Sequence, residues 1–324
     1  MLSVPSADIP AIANSRLSTR DDLYERTVPR AYVHRAGISE VLLTGVLASE
    51  GDHFSLAAQW PRNHSFYRSS RGRQDPLLLA ETIRQAGLFV GHLGYQVPLG
   101  HAFLMKTMSY DVDPAGLLLG HKPSDLLIHI HCFDTRIRGS SLTALGFEAR
   151  IERDGVTIGS GSGAYRCISP AAYAKLRNVA WALPAPPDIP NDAHQMFEPV
   201  APELVGRSSP GDVVIATAGP DHLWKLQIDH RHPALFDHPV DHVPGMVVLE
   251  AARQALLHMT SPDALVPVAM RSGFSNYLEL DGPTFVKAVP GPPDPAGRLS
   301  VRFLIEQYGV VQAEIDFLAE TAEG

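Results

Sequence analysis

Along most of the chain, apolar and polar residues alternate with the period of two expected of half-buried strands, and twice the alternation gives way to a long apolar run with helical spacing. In the first half, 40–47 and 54–60 read as strands, within a region 31–60 of strand-like pattern. An Arg-rich polar loop follows, then a helix over about 76–93. Asp75 is placed to cap that helix, with Pro76 at the first helical position, where its missing N–H costs nothing. Strand patterns return at 103–112, 125–137, 143–153 and 156–168. In the second of these, Ile128, Ile130 and Cys132 alternate with His129, His131 and Phe133. Arg153-Asp154-Gly155 then supplies a hairpin turn signal. The second half repeats the order: strands at 212–217 and 222–228, a His-rich loop, a helix over about 244–259, and strands at 268–280, 284–289, 299–305 and 310–317. Between the halves, 182–211 holds Pro184, Pro186, Pro187, Pro190, Pro199, Pro202 and Pro210, a density that opposes helix and sheet alike and reads as a linker. Residues 1–27 read as an irregular leader, which leaves halves of 28–181 and 212–324. Each half is α+β: short strands, one long apolar helix, then an antiparallel run of strands.

Composition narrows the class. A chain of 324 residues with 45% hydrophobic and 19% charged content has room for two ordinary domains or one large pseudo-symmetric unit. No apolar stretch is long enough to span a bilayer, and the N-terminus lacks a basic segment leading into an apolar core, so a cytoplasmic protein is expected. Cys132 and Cys167 are the two cysteines; they make no disulfide framework and lack metal-ligand spacing. A net charge of −8 argues against a nucleic-acid binder with a general basic face.

The helices also repeat in detail. Glu81, Arg84 and Gln85 recur as Glu250, Arg253 and Gln254, each set within Glu-x-x-Arg-Gln-Ala. Positions i, i+3 and i+4 share one helical face, so an otherwise apolar helix carries a polar seam. Two readings stand side by side: a structural Glu–Arg pair between central helices, or a general base with its orienting cation. Ahead of the second helix lie His230, His232, His238 and His242. They lack zinc-site neighbours, and neither a metal nor a cofactor is expected. His64 and His232 each follow a glutamine (Gln59, Gln227) by five residues and occupy equivalent places before the two helices.

The piece Pro244-Gly245 to Glu250-Ala251 and Gln254 resembles the helix start of β-hydroxyacyl-ACP dehydratases, which use a loop histidine and an acidic residue on the helix. The loop from His232 to Pro244-Gly245 is four residues longer than is usual there, which leaves His238 and His242 as rivals to His232. The chain as a whole resembles the A-factor biosynthesis hotdog family, the γ-butyrolactone signal synthases of actinobacteria. The match rests on Asp-Pro-Leu-Leu-Leu-Ala-Glu-Thr-Ile-Arg-Gln-Ala in the first half. In the second it rests on His-Pro-x-Leu-Phe-x-x-Pro-x-Asp-His-Val-Pro-Gly-Met-Val-Val-Leu-Glu-Ala-Ala-Arg-Gln-Ala. The resemblance implies a tandem (double) hotdog fold, each half an antiparallel sheet wrapped around its helix. It implies an acyltransferase moving a β-ketoacyl group from acyl carrier protein to the hydroxyl of dihydroxyacetone phosphate, on the way to a γ-butyrolactone, butenolide or furan signalling molecule. A monomeric pseudo-dimer and a homodimer both fit it.

On that reading the catalytic candidates are Glu81, Arg84, Gln85, His232, His242, Gly245, Glu250, Arg253 and Gln254. The helix start at Pro244-Gly245 offers backbone N–H groups and a positive dipole end to a thioester oxygen that gains charge. The substrate-binding candidates are His64, Arg68, Arg71, Arg73, Lys106, His238 and Arg271, with Arg84 and Arg253 favoured for the phosphate. The Arg loop could equally hold an acidic carrier protein or simply be solvated. A thioester dehydratase or thioesterase, and a non-catalytic acyl- or lactone-binding protein, remain alternatives. The helices are alike and the loops ahead of them differ, so the second-half motif is expected to serve the carbonyl end.

Overall fold

The computed structural model describes residues 22–139, 141–181, 197–219, 222–262 and 265–321. The first half contains β1 (Leu43–Glu50), β2 (His53–Trp60), α1 (Pro76–Leu93), β3 (Ala102–Val112), β4 (Ser124–Arg138), β5 (Ser141–Arg153), β6 (Val156–Ile168) and α2 (Pro170–Trp181). The second contains β7 (Glu198–Pro199), β8 (Ile215–Thr217), β9 (Leu223–Leu226), α3 (Gly245–Thr260), β10 (Leu265–Phe274), β11 (Thr284–Pro290), β12 (Leu299–Gln307) and β13 (Val310–Thr321). The strands form one antiparallel sheet in the order β1-β2-β4-β5-β6-β3-β10-β13-β12-β11-β9-β8-β7. The order in one half, read from the seam outward, repeats in the other. At the seam β3 pairs with β10, from Thr107 opposite Gly273 to Asp111 opposite Ala269, so the inner edge of each half is covered by the other.

Each half of the sheet curls around its own helix, the tandem hotdog arrangement that the family resemblance implied. Nearly every side chain of α1 is buried, including Leu77, Leu78, Leu79, Ile83 and Val90, as are Val247, Val248, Leu249 and Leu256 of α3. An all-apolar helix is stable only where it is surrounded on every side. Small residues on the sheet permit the approach: a Cβ on Gly161 of β6 would lie 2.4 Å from both Ile83 Cδ1 and Ser109 O. Asp75 Oδ1 accepts from Leu77 N at 2.9 Å and caps α1 as its sequence position suggests. Asp154 and Gly155 adopt φ of 52° and 79°, the left-handed pair of a tight hairpin between β5 and β6.

The sequence pattern misses several features. Residues 31–42 form two short 3-10 turns, Arg30–Val33 and Ile38–Glu40, where strand was expected. The expected strand at 268–280 ends at Phe274. Helix α2 was not anticipated. The leader 1–27 lies largely outside the described residues, yet Leu23 is buried and Tyr24 Oη donates to Leu126 O. The first part of the expected linker, 182–196, also lies outside them. Its remainder is built structure: β7, a 3-10 turn at Pro202–Val205 that uses proline as its first residue, and the fully buried Arg207. No described helix is long and apolar enough to cross a membrane.

Candidate active site

The duplicated helix motif builds two matching buried ion clusters. Glu81 Oε1 accepts from Arg35 Nε at 3.0 Å, Arg84 Nη2 at 2.8 Å and Gln85 Nε2 at 2.7 Å, while Oε2 accepts from Arg84 Nε at 2.8 Å. Glu250 accepts from Arg207 Nε and Nη2 at 2.8 and 2.6 Å, from Arg253 Nε and Nη2 at 2.8 Å each, and from Gln254 Nε2 at 2.5 Å. The glutamine carbonyls then accept from Leu42 N and Val214 N. Arg35 Nη1 crosses the seam to Ala234 O, and Arg207 Nη1 crosses back to Phe66 O, both at 2.9 Å. Burial pushes both carboxylates up, but the paired guanidiniums outweigh it and hold Glu81 and Glu250 down to about 2. A buried carboxylate with its lone pairs occupied and its proton this easily lost is a poor base. The geometry therefore favours a supporting part for Glu81, Gln85, Glu250 and Gln254.

The two clusters differ in what the crossing arginine holds beyond its glutamate. Arg207 Nη1 reaches Asp75 Oδ2 at 2.9 Å, the same carboxylate that caps α1. Arg35 Nη1 lies 3.6 Å from Asp237 Oδ1, and Asp237 Oδ2 accepts from Ala36 N at 2.8 Å. Asp237 sits on the loop leading to α3, where His238 Nδ1 donates to its Oδ1 at 2.5 Å. Four residues on, His242 Nδ1 donates to Asp241 Oδ1 at 2.8 Å. Pro244 then opens α3 without a side-chain cap. Its carbonyl accepts from Val247 N at 3.0 Å, and among the described residues no partner meets the N–H groups of Gly245 and Met246. Thus the N-terminus of α1 is closed by a carboxylate, whereas α3 starts without a side-chain cap, after a loop that carries two His–Asp pairs.

Residues from both halves line the α3 end. Met105 of β3 packs on Gly245, where a Cβ would lie 2.3 Å from its Cε, and Phe274 of β10 is next nearest. Phe103, two residues before Met105, stacks edge-on against His34 and lies 5.0 Å, centroid to centroid, from His92. His92 Nδ1 lies 2.6 Å from Val97 O; a carbonyl only accepts, so that nitrogen carries the proton. His92 Nε2 is then the acceptor for His34 Nε2 at 2.9 Å. Burial first, then unfavourable electrostatics from His92 and Arg84, pushes His34 down to about 3. His34 holds φ of 51°, left-handed for a side-chain-bearing residue; Gly206, at the matching place in the second half, holds 68°. Tyr173 and Arg177 of α2 close over this end, through Asp241 and Glu279.

Several expected site residues lie elsewhere. His64 and His232 are buried: each uses Nδ1 to accept two backbone N–H groups, from Phe66 and Tyr67 and from Ala234 and Leu235. Their Nε2 atoms face Glu40 at 3.6 Å and Asp212 at 3.3 Å. They hold turns, and neither nitrogen is left for a substrate. Arg253 is buried between Glu250 and Val205 O, which removes it as a phosphate ligand. Arg271 lies half-exposed against Asp111 across the β3–β10 seam. Arg68 donates to Ser65 O, and Arg71 and Arg73 lie in the loop before α1, at the far end from Gly245. Arg73 lines a cleft of about 890 Å³ with Ser261 and Arg298, at the C-terminal end of α3 and away from the His–Asp pairs. Arg84, Lys106, His238, His242 and Gly245 remain at the α3 end. Among the described residues, Arg84 bonds through Nε and Nη2, and Lys106 through Nζ to Ser275 O at 3.4 Å. Among the described residues, no three His, Cys, Asp or Glu are grouped to hold a metal ion. Arg35, Arg207, Asp237, His34 and His92 escaped the sequence reading. A signal for the first two was present: Val33-His34-Arg35 and Val205-Gly206-Arg207 precede the two helix glutamates at similar separations, 46 and 43 residues for the arginines.

Comparison with known proteins adds to this geometry. A family profile for the A-factor biosynthesis hotdog domain matches residues 18–169 and 190–322. A 2-oxo-3-(phosphooxy)propyl 3-oxoalkanoate synthase of Streptomyces virginiae is 41% identical over 276 residues, 85% of this chain and 92% of that protein. A synthase of the same name from Streptomyces coelicolor is 35% identical over 283 residues, 87% of this chain and 88% of its own. Among solved structures, the 12:0-ACP thioesterase from Umbellularia californica superposes with a TM-score of 0.50 at 8% identity, covering 85% of this chain and 100% of that one, a likeness of fold.

Proposed function

The chain belongs to the A-factor biosynthesis hotdog family, and on that footing we propose that it esterifies dihydroxyacetone phosphate with a 3-oxoacyl group, the product class for which its relatives are named. The donor is a thioester of acyl carrier protein, and the product enters synthesis of a butenolide, γ-butyrolactone or furan signal. The observation that carries this reading is the asymmetry of the two helix starts: the α3 start is uncapped and its lead-in loop carries two His–Asp pairs, and the α1 start is capped by Asp75.

The chemistry needs three things, and this end of the molecule has groups suited to each. The thioester carbonyl oxygen gains charge as the acceptor hydroxyl adds, and the N–H groups of Gly245 and Met246, at the positive end of α3, suit that oxyanion. The hydroxyl must lose its proton, and a loop imidazole with Nδ1 fixed by a carboxylate leaves Nε2 as the acceptor. The phosphate needs cations, and Arg84 with Lys106 supports it here. Glu81 and Glu250 keep the helices in register across the seam rather than moving protons.

The test is incubation of the protein with a 3-oxoacyl carrier-protein thioester, with and without dihydroxyacetone phosphate. The expected result is release of carrier thiol and a phosphorylated ester seen by mass spectrometry, both dependent on the phosphorylated acceptor. Thiol release at the same rate without acceptor would instead identify a thioesterase and overturn the reading.

A further inference from the structure

The two His–Asp pairs ahead of α3 are alike in sequence and unequal in support. Each imidazole donates Nδ1–H to the preceding aspartate, so each keeps Nε2 as a lone pair. Behind His238, the Asp237 side chain is 4% exposed. Its Oδ2 accepts from Ala36 N, Arg35 stands 3.6 Å from its Oδ1, and Arg35 is itself locked to Glu81. Behind His242, the Asp241 side chain is 48% exposed. It divides its oxygens between Tyr173 at 2.6 Å and Arg177 at 3.2 Å, and Tyr173 Oη also sits 3.3 Å from His242 Nδ1. A carboxylate held in a low-dielectric site fixes an imidazole tautomer and stabilises the imidazolium far better than one that is wetted and shared. The His238 side chain is itself 44% exposed, so its ring is reachable from solvent.

We propose that His238 is the general base of the transfer, that Asp237 is its positioning residue, and that the Arg35–Glu81 pair holds Asp237 in place from across the seam. This rests on the acyl-transfer reading above. In the step, His238 Nε2 takes the acceptor's hydroxyl proton as that oxygen bonds to the thioester carbon, giving a tetrahedral oxyanion. The C–S bond then breaks, and the imidazolium proton passes to the departing thiolate, so ester and thiol form with no net proton change. The catalytic set is completed only when the two halves pair, since Ala36 and Arg35 belong to the first and Asp237 and His238 to the second.

The variants that decide it are His238→Gln, Asp237→Asn and Asp241→Asn, assayed for carrier-thiol release and phosphorylated ester after a melting curve confirms each fold. Among the described residues, Asp237 and, from the first half, His34 face His238, with Arg35 and Glu40 behind Asp237. Loss of the neighbouring carboxylate makes the imidazolium less stable, so Asp237→Asn is expected to move the acid limb of the kcat/KM profile to lower pH. Asp241→Asn is expected to leave that limb where it is. His238→Gln is expected to lower kcat by about 10²- to 10⁴-fold, with KM for dihydroxyacetone phosphate within a few-fold. His238 is exposed enough for this variant to fold even if Asp237→Asn does not. Turnover by His238→Gln at the unmodified rate, or a limb that moves with Asp241→Asn instead, overturns the proposal while the acyl-transfer reading stands. An unmodified protein that yields no ester overturns both.

Discussion

Glu250→Gln separates a buried counter-ion from a catalytic base. The carboxylate is fully buried and receives five hydrogen bonds from Arg207, Arg253 and Gln254. Its folded value of about 2, against an ordinary 4.5, corresponds to about 3 kcal/mol of stability. The glutamine variant removes that charge and leaves two buried guanidiniums with Asp75 as their remaining anionic partner among the described residues. Breaking a buried pair in this way costs about 3–5 kcal/mol. At roughly 2–4 °C per kcal/mol for a protein of this size, the melting temperature should fall on the order of 10 °C. Because folding depresses the carboxylate's proton affinity, its contribution is complete above pH 4.5 and disappears as pH falls towards 2. The difference between the two melting curves should therefore be full at pH 7 and shrink only in that acid window. Transfer measured at a temperature where both proteins are folded should stay within about tenfold, since Glu250 supports the cluster facing Asp75 rather than Asp237. Near-equal melting temperatures combined with abolished transfer would refute the argument and return Glu250 to the chemistry.

Substitutions centred on three further positions probe the packing. Gly245→Ala places a Cβ 2.3 Å from Met105 Cε, the free end of a flexible side chain that can swing aside, so stability should change by less than about 1 kcal/mol; a larger drop in melting temperature that Met105→Ala fails to relieve would locate the fault in the backbone. Gly161→Ala meets Ser109 O at 2.4 Å, an atom that cannot swing aside, so soluble yield should collapse, and a normal melt would contradict the close helix–sheet approach. At His34, with φ of 51°, glycine should fold better than valine by about 1 kcal/mol or more in urea unfolding, the reverse of the order expected at an ordinary position.

What the sequence made legible was local. The expected bounds 76–93 coincide with Pro76–Leu93 of α1 because Asp75 and Pro76 write the cap into the chain. Alternation placed β4, β5 and β6 to within a few residues. The partners of the two glutamates were not legible, because Arg35 and Arg207 stand 46 and 43 residues upstream and meet them only through the fold. Proline density hid Arg207 as well: a proline that begins a short 3-10 turn and one that forbids structure look the same in sequence. His64 and His232 were equivalent, as their spacing suggested, but the equivalence is that of two buried turns.

The two clusters together explain why chemistry can be one-sided on a two-sided scaffold. Arg35 and Arg207 make the same glutamate and cross-seam contacts, so the pairing of the halves is secured symmetrically. Only the outer carboxylate differs. Asp75 spends one oxygen on Leu77 N of α1 and the other on Arg207, which stabilises a helix start and occupies the donors an oxyanion would need. Asp237 stands at a loop instead, orients His238, and leaves the α3 start open. Histidines are absent from the matching positions at the α1 end: Gly206 stands for His34 and Ser261 for His92. Calorimetric titration with dihydroxyacetone phosphate should therefore give one site per chain, weakened by Arg84→Gln and unaffected by Arg298→Gln in the α3 C-terminal cleft. Two equal sites per chain would show that the capped helix start binds as well as the open one, and the asymmetry would lose its meaning.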